Sequence, residues 1–183
     1  TEIISELSES IKSDPNIREV IKSTHHNPKI QQFFENIRNS HQDRINNNSE
    51  VSPLSTELSN RRTLKAVKAF ENAKNPIIYS GGGVVNSGDS ASKLLRELVN
   101  ESNFPITSTL MGLGCYPASK KNWMGMLGMH GTYEANMAMH DCDFMFCIGA
   151  RFDDRITGKT DEFSPNSTKI HIDIDPSSIN KNI

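Results

Sequence analysis

The apolar positions of this chain keep two different rhythms, and the change falls between about residues 60 and 77. In the first part they recur three to four residues apart: Ile3, Leu7 and Ile11; Ile17, Val20 and Ile21; Ile30, Phe33, Phe34 and Ile37. That spacing lays a stripe along one face of an α-helix. Asp14-Pro15 and Asn27-Pro28 each offer an N-cap followed by proline at the first helical position. The stripes are narrow, so such helices need one another or a partner to persist in water. His41 to Asn60, with Asn46-Asn47-Asn48-Ser49 in its middle, reads as a polar linker. Residues 1–60 are therefore expected to form a helical segment and linker that the remainder, 61–183, can fold without.

In the second part the rhythm shortens. Leu64, Val67 and Phe70 open a helix that must end before Asn75-Pro76, because proline pushes the preceding residue out of the α region. Apolar runs at Ile77–Ser80, Pro105–Thr109, Phe144–Ile148 and Lys169–Ile174 predict four strands. Between them, Ser87–Glu101 and Thr132–His140 predict helices. The first would turn Ala91, Leu94, Leu95, Leu98 and Val99 inward and Lys93, Arg96 and Glu97 outward. Strands alternating with helices predict βαβ units with right-handed crossovers, hence an α/β domain with a parallel, Rossmann-like sheet and flanking helices. With the chain stopping soon after the fourth predicted strand, the sheet is expected to be C-terminally incomplete, with one parallel edge uncovered.

Composition sharpens the division. All eleven glycines lie at or after Gly81, and all seven methionines between Met111 and Met145. A net charge of −2 gives no reason to expect nucleic acid or an anionic membrane as partner. No apolar stretch approaches the roughly 18 residues of a membrane span, and the N-terminus is too polar for a signal peptide. Cys115, Cys142 and Cys147 have neither zinc nor redox spacing, so reduced thiols and a cytoplasmic setting are expected. His25-His26 and His41 lack neighbouring ligands at metal spacing and read as solvated histidines.

Candidate chemistry gathers where strands end, as it does in open α/β sheets that bind ligands beyond their carboxyl ends. Gly81-Gly82-Gly83 offers positive φ and close backbone approach, or simply a turn. Thr109-Leu110-Met111 offers a hydroxyl and N–H groups to a ligand, or marks plain strand termination. Met126-Leu127-Gly128-Met129-His130-Gly131-Thr132 is the centre of the region. Its histidine could serve as a base, although Met124, Met126, Met137, Met139 and Met145 are expected to be core packing. Gly149-Ala150-Arg151-Phe152-Asp153-Asp154-Arg155 sets arginine forks beside carboxylates, suited to a pyrophosphate or to a surface salt-bridge loop. Asp173 could accept from ribose hydroxyls; Asp175-Pro176 reads as a capping turn.

The same segments, together with Ser108-Thr109-Leu110-Met111-Gly112-Leu113-Gly114 and His171-Ile172-Asp173-Ile174-Asp175, resemble the large catalytic subunit family of acetolactate synthase, also called acetohydroxyacid synthase. The resemblance runs from about Asn75 to Ile183 in one register and corresponds to that family's FAD-binding central domain. It implies that Gly82, Gly83, Thr109, Leu110, Leu127, Gly128, Met129, His130, Gly149, Ala150, Arg151, Phe152, Asp153, Asp173 and Ile174 lie along FAD. It also implies that Met129, His130, Asp154 and Arg155 border a substrate channel, His130 in a positioning role.

In the complete enzyme the resemblance implies thiamine diphosphate and magnesium, structural rather than redox FAD, a homo-oligomer with a regulatory small subunit, and condensation of 2-ketoacids in branched-chain amino-acid synthesis. The family's catalytic glutamate belongs to an N-terminal domain, and its Gly-Asp-Gly diphosphate motif is absent from these 183 residues. No catalytic or metal residue is expected here. The chain is expected to be inactive alone, with FAD binding weak or lost. The alternatives are a non-catalytic binding or assembly module, with the N-terminal helices as its working part, and a relic reading frame.

Overall fold

A computed structural model describes residues 69–183, Glu71 excepted. The expected N-terminal helices, the linker, the three N-terminal histidines and residues 64–68 and 71 of the helix expected from Leu64 lie outside the described residues. Ala73–Ile183 forms a compact unit of its own.

Its chain order is β1 (Pro76–Ser80), α1 (Gly82–Asn86), α2 (Asp89–Ser102), β2 (Ile106–Ser108), a 3-10 turn (Leu110–Gly112), β3 (Trp123–Met126), α3 (Tyr133–Asp141), β4 (Phe144–Ile148), α4 (Asp154–Thr157), a second 3-10 turn (Thr160–Glu162), β5 (Thr168–Ile172) and a third (Pro176–Ser178). The sheet has five strands in the order β3-β2-β1-β4-β5, and all four pairings are parallel. This is the α/β architecture that the alternation predicts, with one strand more. Trp123–Met126 went unread because it has no β-branched residue and carries Gly125 at φ 97°, where the pairing with β2 is irregular. All four of its residues are only half-buried, as an outer strand's can be.

Alternate residues of the central strands build the core. Ile77 and Tyr79 of β1 stand beside Met145 and Cys147 of β4 in register, and all four are fully buried. Met139 and Cys142, from α3 and its end, close over them with Leu127, Ala150 and Phe152. α2 buries Leu95, Leu98, Val99 and also Ser92, whereas Leu94, expected inward, is exposed. The entry to β1 is pinned by Asp143, whose two carboxylate oxygens accept from the Lys74 and Asn75 N–H groups at 2.7 and 2.9 Å.

Candidate functional site

In an all-parallel sheet every strand delivers its following loop to the same edge. The loops after β1, β2, β3, β4 and β5 therefore bring every predicted site residue to one rim, around the reversal of strand order between β1 and β4.

The glycine run does not take the conformation expected of it. Gly81 has φ −126°, Gly82 and Gly83 are not in the left-handed region, and helix α1 begins at Gly82 itself. These residues are glycine because two backbones cross here. A Cβ on Gly81 would lie 2.2 Å from the Gly149 oxygen, and one on Gly83 would lie 2.8 Å from the Gly149 Cα. The Gly81 and Gly83 N–H groups donate to Ile148 and Gly149 carbonyls at 3.0 and 2.9 Å, so neither remains to cradle an anion. Positive φ sits across the junction, at Gly149 with φ 58°.

The Thr109 N–H is likewise taken, by the Ser80 carbonyl, and its hydroxyl accepts from the Gly112 N–H at 3.0 Å. Beyond it the side chains of Leu110 and Met111 stand 67% and 75% exposed. After β3 the backbone of Leu127–Gly131 makes a lip: Leu127 points down into the core, and Met129 and His130 point out. Gly128 has φ 105°, and a Cβ there would meet the Arg155 oxygen at 2.8 Å and an Ile156 methyl at 2.7 Å. The Met129 N–H donates to the Arg155 carbonyl at 2.9 Å, joining this lip to the loop after β4.

That second loop is anchored from below. Phe152 is buried in the core, its ring 5.7 Å from Tyr79, 5.9 Å from Phe163 and 5.1 Å from His171. The Tyr79 hydroxyl reaches the Arg151 carbonyl at 3.4 Å, and His171 Nε2 lies 2.8 Å from the Ala150 carbonyl. Burial pushes the Tyr79 phenol far up and lowers His171 below its ordinary value, so a neutral ring donating from Nε2 fits that contact. Ala150 and Phe152 can therefore meet a ligand only through backbone. Arg151 points outward, paired with Asp153 at 3.1 Å while both stay largely exposed; Arg155 and Asp154 pair at 3.8 Å. Such exposed pairs add little stability, so Arg151 can exchange its partner for a ligand anion at small cost.

After β5, Asp173 accepts from the Asp175 N–H at 2.9 Å, with its own side chain mostly covered, and Ile174 is 75% exposed. Asp175 caps the 3-10 turn as expected, accepting from the Ser177 N–H and hydroxyl, bonds that lower its carboxyl pKa. Of the methionines expected to pack, Met139 and Met145 are buried, Met124 and Met126 half-buried, and Met137 lies on the surface.

All three cysteines are buried, and burial raises the Cys142 and Cys147 thiols, which suits packing rather than nucleophilic attack. Among the described residues no group of three acidic, histidine or cysteine side chains could hold a metal, and no helix is long and apolar enough to cross a membrane. What the rim leaves exposed includes the apolar side chains of Leu110, Met111, Met129 and Ile174, together with Arg151 and Arg155. That chemistry suits a flat organic ligand carrying an anionic group.

Residues 63–183 match the family model of the thiamine pyrophosphate enzyme central domain. The chain belongs to that family. Among its relatives, the acetolactate synthase large subunit of Haemophilus influenzae is 51% identical over 119 residues, 65% of this chain and 20% of that protein. The acetolactate synthase isozyme 3 large subunit of Escherichia coli is 48% identical over 119 residues, with the same shares. The acetolactate synthase large subunit of Porphyra purpurea is 46% identical over 130 residues, 71% of this chain and 22% of that protein. The chain thus spans about a fifth of the length of the curated relatives it matches. Sequence reasoning missed Asn136, on α3 of this central domain, whose carboxamide grips the Gly128 peptide. A lone asparagine in a predicted helix carries no signal of that contact.

Proposed function

We propose that this chain supplies the FAD-binding central domain of an acetolactate synthase large subunit. The observation that carries the reading is the convergence, at one sheet rim, of exposed apolar side chains with Arg151, in a segment of 119 residues that is 51% identical to such a subunit. On this reading Leu110, Met111, Met129 and Ile174 cover the flavin and adenine faces. Gly82, Gly83, Thr109, Leu127, Gly128, Gly149, Ala150 and Phe152 present backbone or close-packed surface. Arg151, released from Asp153, meets the pyrophosphate with charge-assisted hydrogen bonds worth about 1.5–3 kcal/mol. Asp173 lies toward the adenosine end. His130, Asp154 and Arg155 border the substrate channel with Met129.

The whole enzyme would join two 2-ketoacids in branched-chain amino-acid synthesis, in the cytoplasm, as a homo-oligomer with a regulatory small subunit. Thiamine diphosphate with magnesium would supply the carbanion chemistry, and FAD a structural element. This chain's own residues would bind, orient and exclude water.

Titration of FAD against the chain, followed by flavin fluorescence, tests the reading. Wild type should bind, with Kd on the order of tens of micromolar or weaker, and Arg151→Ala about tenfold or more weaker still. Equal binding by the variant removes Arg151 from the site. No binding by wild type at millimolar FAD overturns the assignment. Pyruvate, thiamine diphosphate, magnesium and FAD added to the 183-residue chain should give no acetolactate.

A further inference from the structure

The lip that carries Met129 and His130 is gripped from outside its own backbone by one side chain. The Gly128 N–H donates to Asn136 Oδ1 at 3.0 Å, and Asn136 Nδ2 donates back to the Gly128 carbonyl at 3.1 Å. The second Nδ2 hydrogen goes to the Thr132 carbonyl at 3.0 Å. Both hydrogens and an oxygen lone pair of the carboxamide are thereby used. The orientation is determined by its partners: a flipped amide would set NH₂ against an N–H and oxygen against two carbonyls.

We propose that Asn136 is a positioning residue of this rim, setting where Met129 and His130 stand against the bound molecule. The mechanical chain is short. Ala135 and Met139 of α3 are buried, which ties the helix to the core. Asn136 sits in the first turn of that helix, directly after the residue whose N–H is capped by the Thr132 hydroxyl at 3.2 Å. Its carboxamide fixes the peptide of Gly128, a residue held at φ 105° against the Arg155 backbone. From Gly128 the next two residues are the exposed Met129 and His130. The remaining bonds on the lip, Leu127 N–H to Ser108, Met129 N–H to Arg155 and Gly131 N–H to Gly128, are backbone contacts. The functional part of the inference rests on the flavin reading; the placement of the lip does not.

The full chain is compared as wild type, Asn136→Ala, Asn136→Leu and the control Asn122→Ala. Alanine is the better helix former, so α3 should survive the change. Leucine keeps a branched side chain of similar size without the polar groups. Asn122 is another asparagine that bonds backbone, the Phe104 carbonyl at 3.0 Å, at the start of β3 and away from the lip. Amide hydrogen exchange is read at Gly128 and Met129, with Tyr79 and Phe146 as references, and induced circular dichroism is read on added FAD.

Both Asn136 variants should exchange at Gly128 at least about tenfold faster with the references unchanged. The induced flavin signal should shrink, and the apparent Kd should rise about tenfold. Asn122→Ala should leave the lip and the flavin signal alone. Gly128 exchange within about twofold of wild type in either variant overturns the proposal, as does an unchanged flavin signal on a loosened lip. If wild type gives no induced signal, the flavin reading fails, and exchange at Gly128 alone decides whether Asn136 holds the lip.

Discussion

The two loops that face each other across the rim are held by opposite means. The loop after β4 is fastened by burial: Phe152 sits in an aromatic cluster with Tyr79, Phe163 and His171, and its neighbour Ala150 is buried too. The lip after β3 has Leu127 as its buried foot, and beyond it a set of hydrogen bonds centred on Gly128. Burial of a large ring is strong and tolerant of small angular change. Hydrogen bonds are weaker, but they specify direction. The rim thus joins a firm platform carrying Arg151 to an oriented lip carrying Met129 and His130.

The largest effect expected of breaking this comparison is at the platform. Phe152→Ala removes the ring at the centre of the cluster and should cost about 3–5 kcal/mol, measurable by urea unfolding. A loss under about 1 kcal/mol would mean the loop is held by its backbone alone. Gly149→Ala comes next. Its φ of 58° costs an ordinary residue about 1–2 kcal/mol. The added Cβ, 2.9 Å from the Gly83 Cα, also forces the crossing loops apart. A total of at least about 2 kcal/mol is expected, with stability near that of wild type as the refuting result. Asn136→Ala should cost less, about 1–3 kcal/mol for its lost hydrogen bonds, yet disturb the lip more than either.

The smallest effect is electrostatic. Burial holds the His171 pKa below the ordinary 6.5, outweighing the raising influence of its Ala150 contact and of Asp173. Between the depressed folded value and the unfolded one, the unfolded chain binds more protons. This contribution is therefore fully present above about pH 6.5 and is lost as pH falls below it. It levels off once the folded chain also protonates. His171→Gln, which keeps a donor for the Ala150 carbonyl, should flatten that part of the stability–pH curve. An unchanged slope in the variant would assign the acid sensitivity to other groups.

Sequence pattern located β1, β4, α2 and α3 to within two residues, because each is a short apolar run or a longer amphipathic stretch, but it showed neither α1 nor α4, which are single short turns. It placed β2 within the run read as a strand and β5 shifted from it, Thr168–Ile172 against the expected Lys169–Ile174, and it named the residues at the rim. It did not show β3, since Trp123-Met124-Gly125-Met126 owes its strand state to pairing with Ile106 and Ser108 rather than to its own propensity. Nor did it show why Gly81 and Gly83 are glycines. Positive φ is a local property that a sequence can suggest, whereas the approach of Gly149, 66 residues beyond Gly83, exists only once β1 and β4 are neighbours. Phe152 illustrates the same limit. Its place in the run after β4 counts it with the ligand residues, but the direction of its side chain is set by the cavity between Tyr79 and Phe163.

By itself, then, the sequence determined the class of fold, the rim where strands end and the family, because periodicity and short motifs are local and survive without a partner. Only the tertiary structure decided which rim groups are already spent on internal hydrogen bonds, which side chains turn into the core, and that Asn136 holds Gly128. Those are contacts between segments that the chain brings together after folding, and neither spacing nor composition encodes the direction in which a side chain finally points.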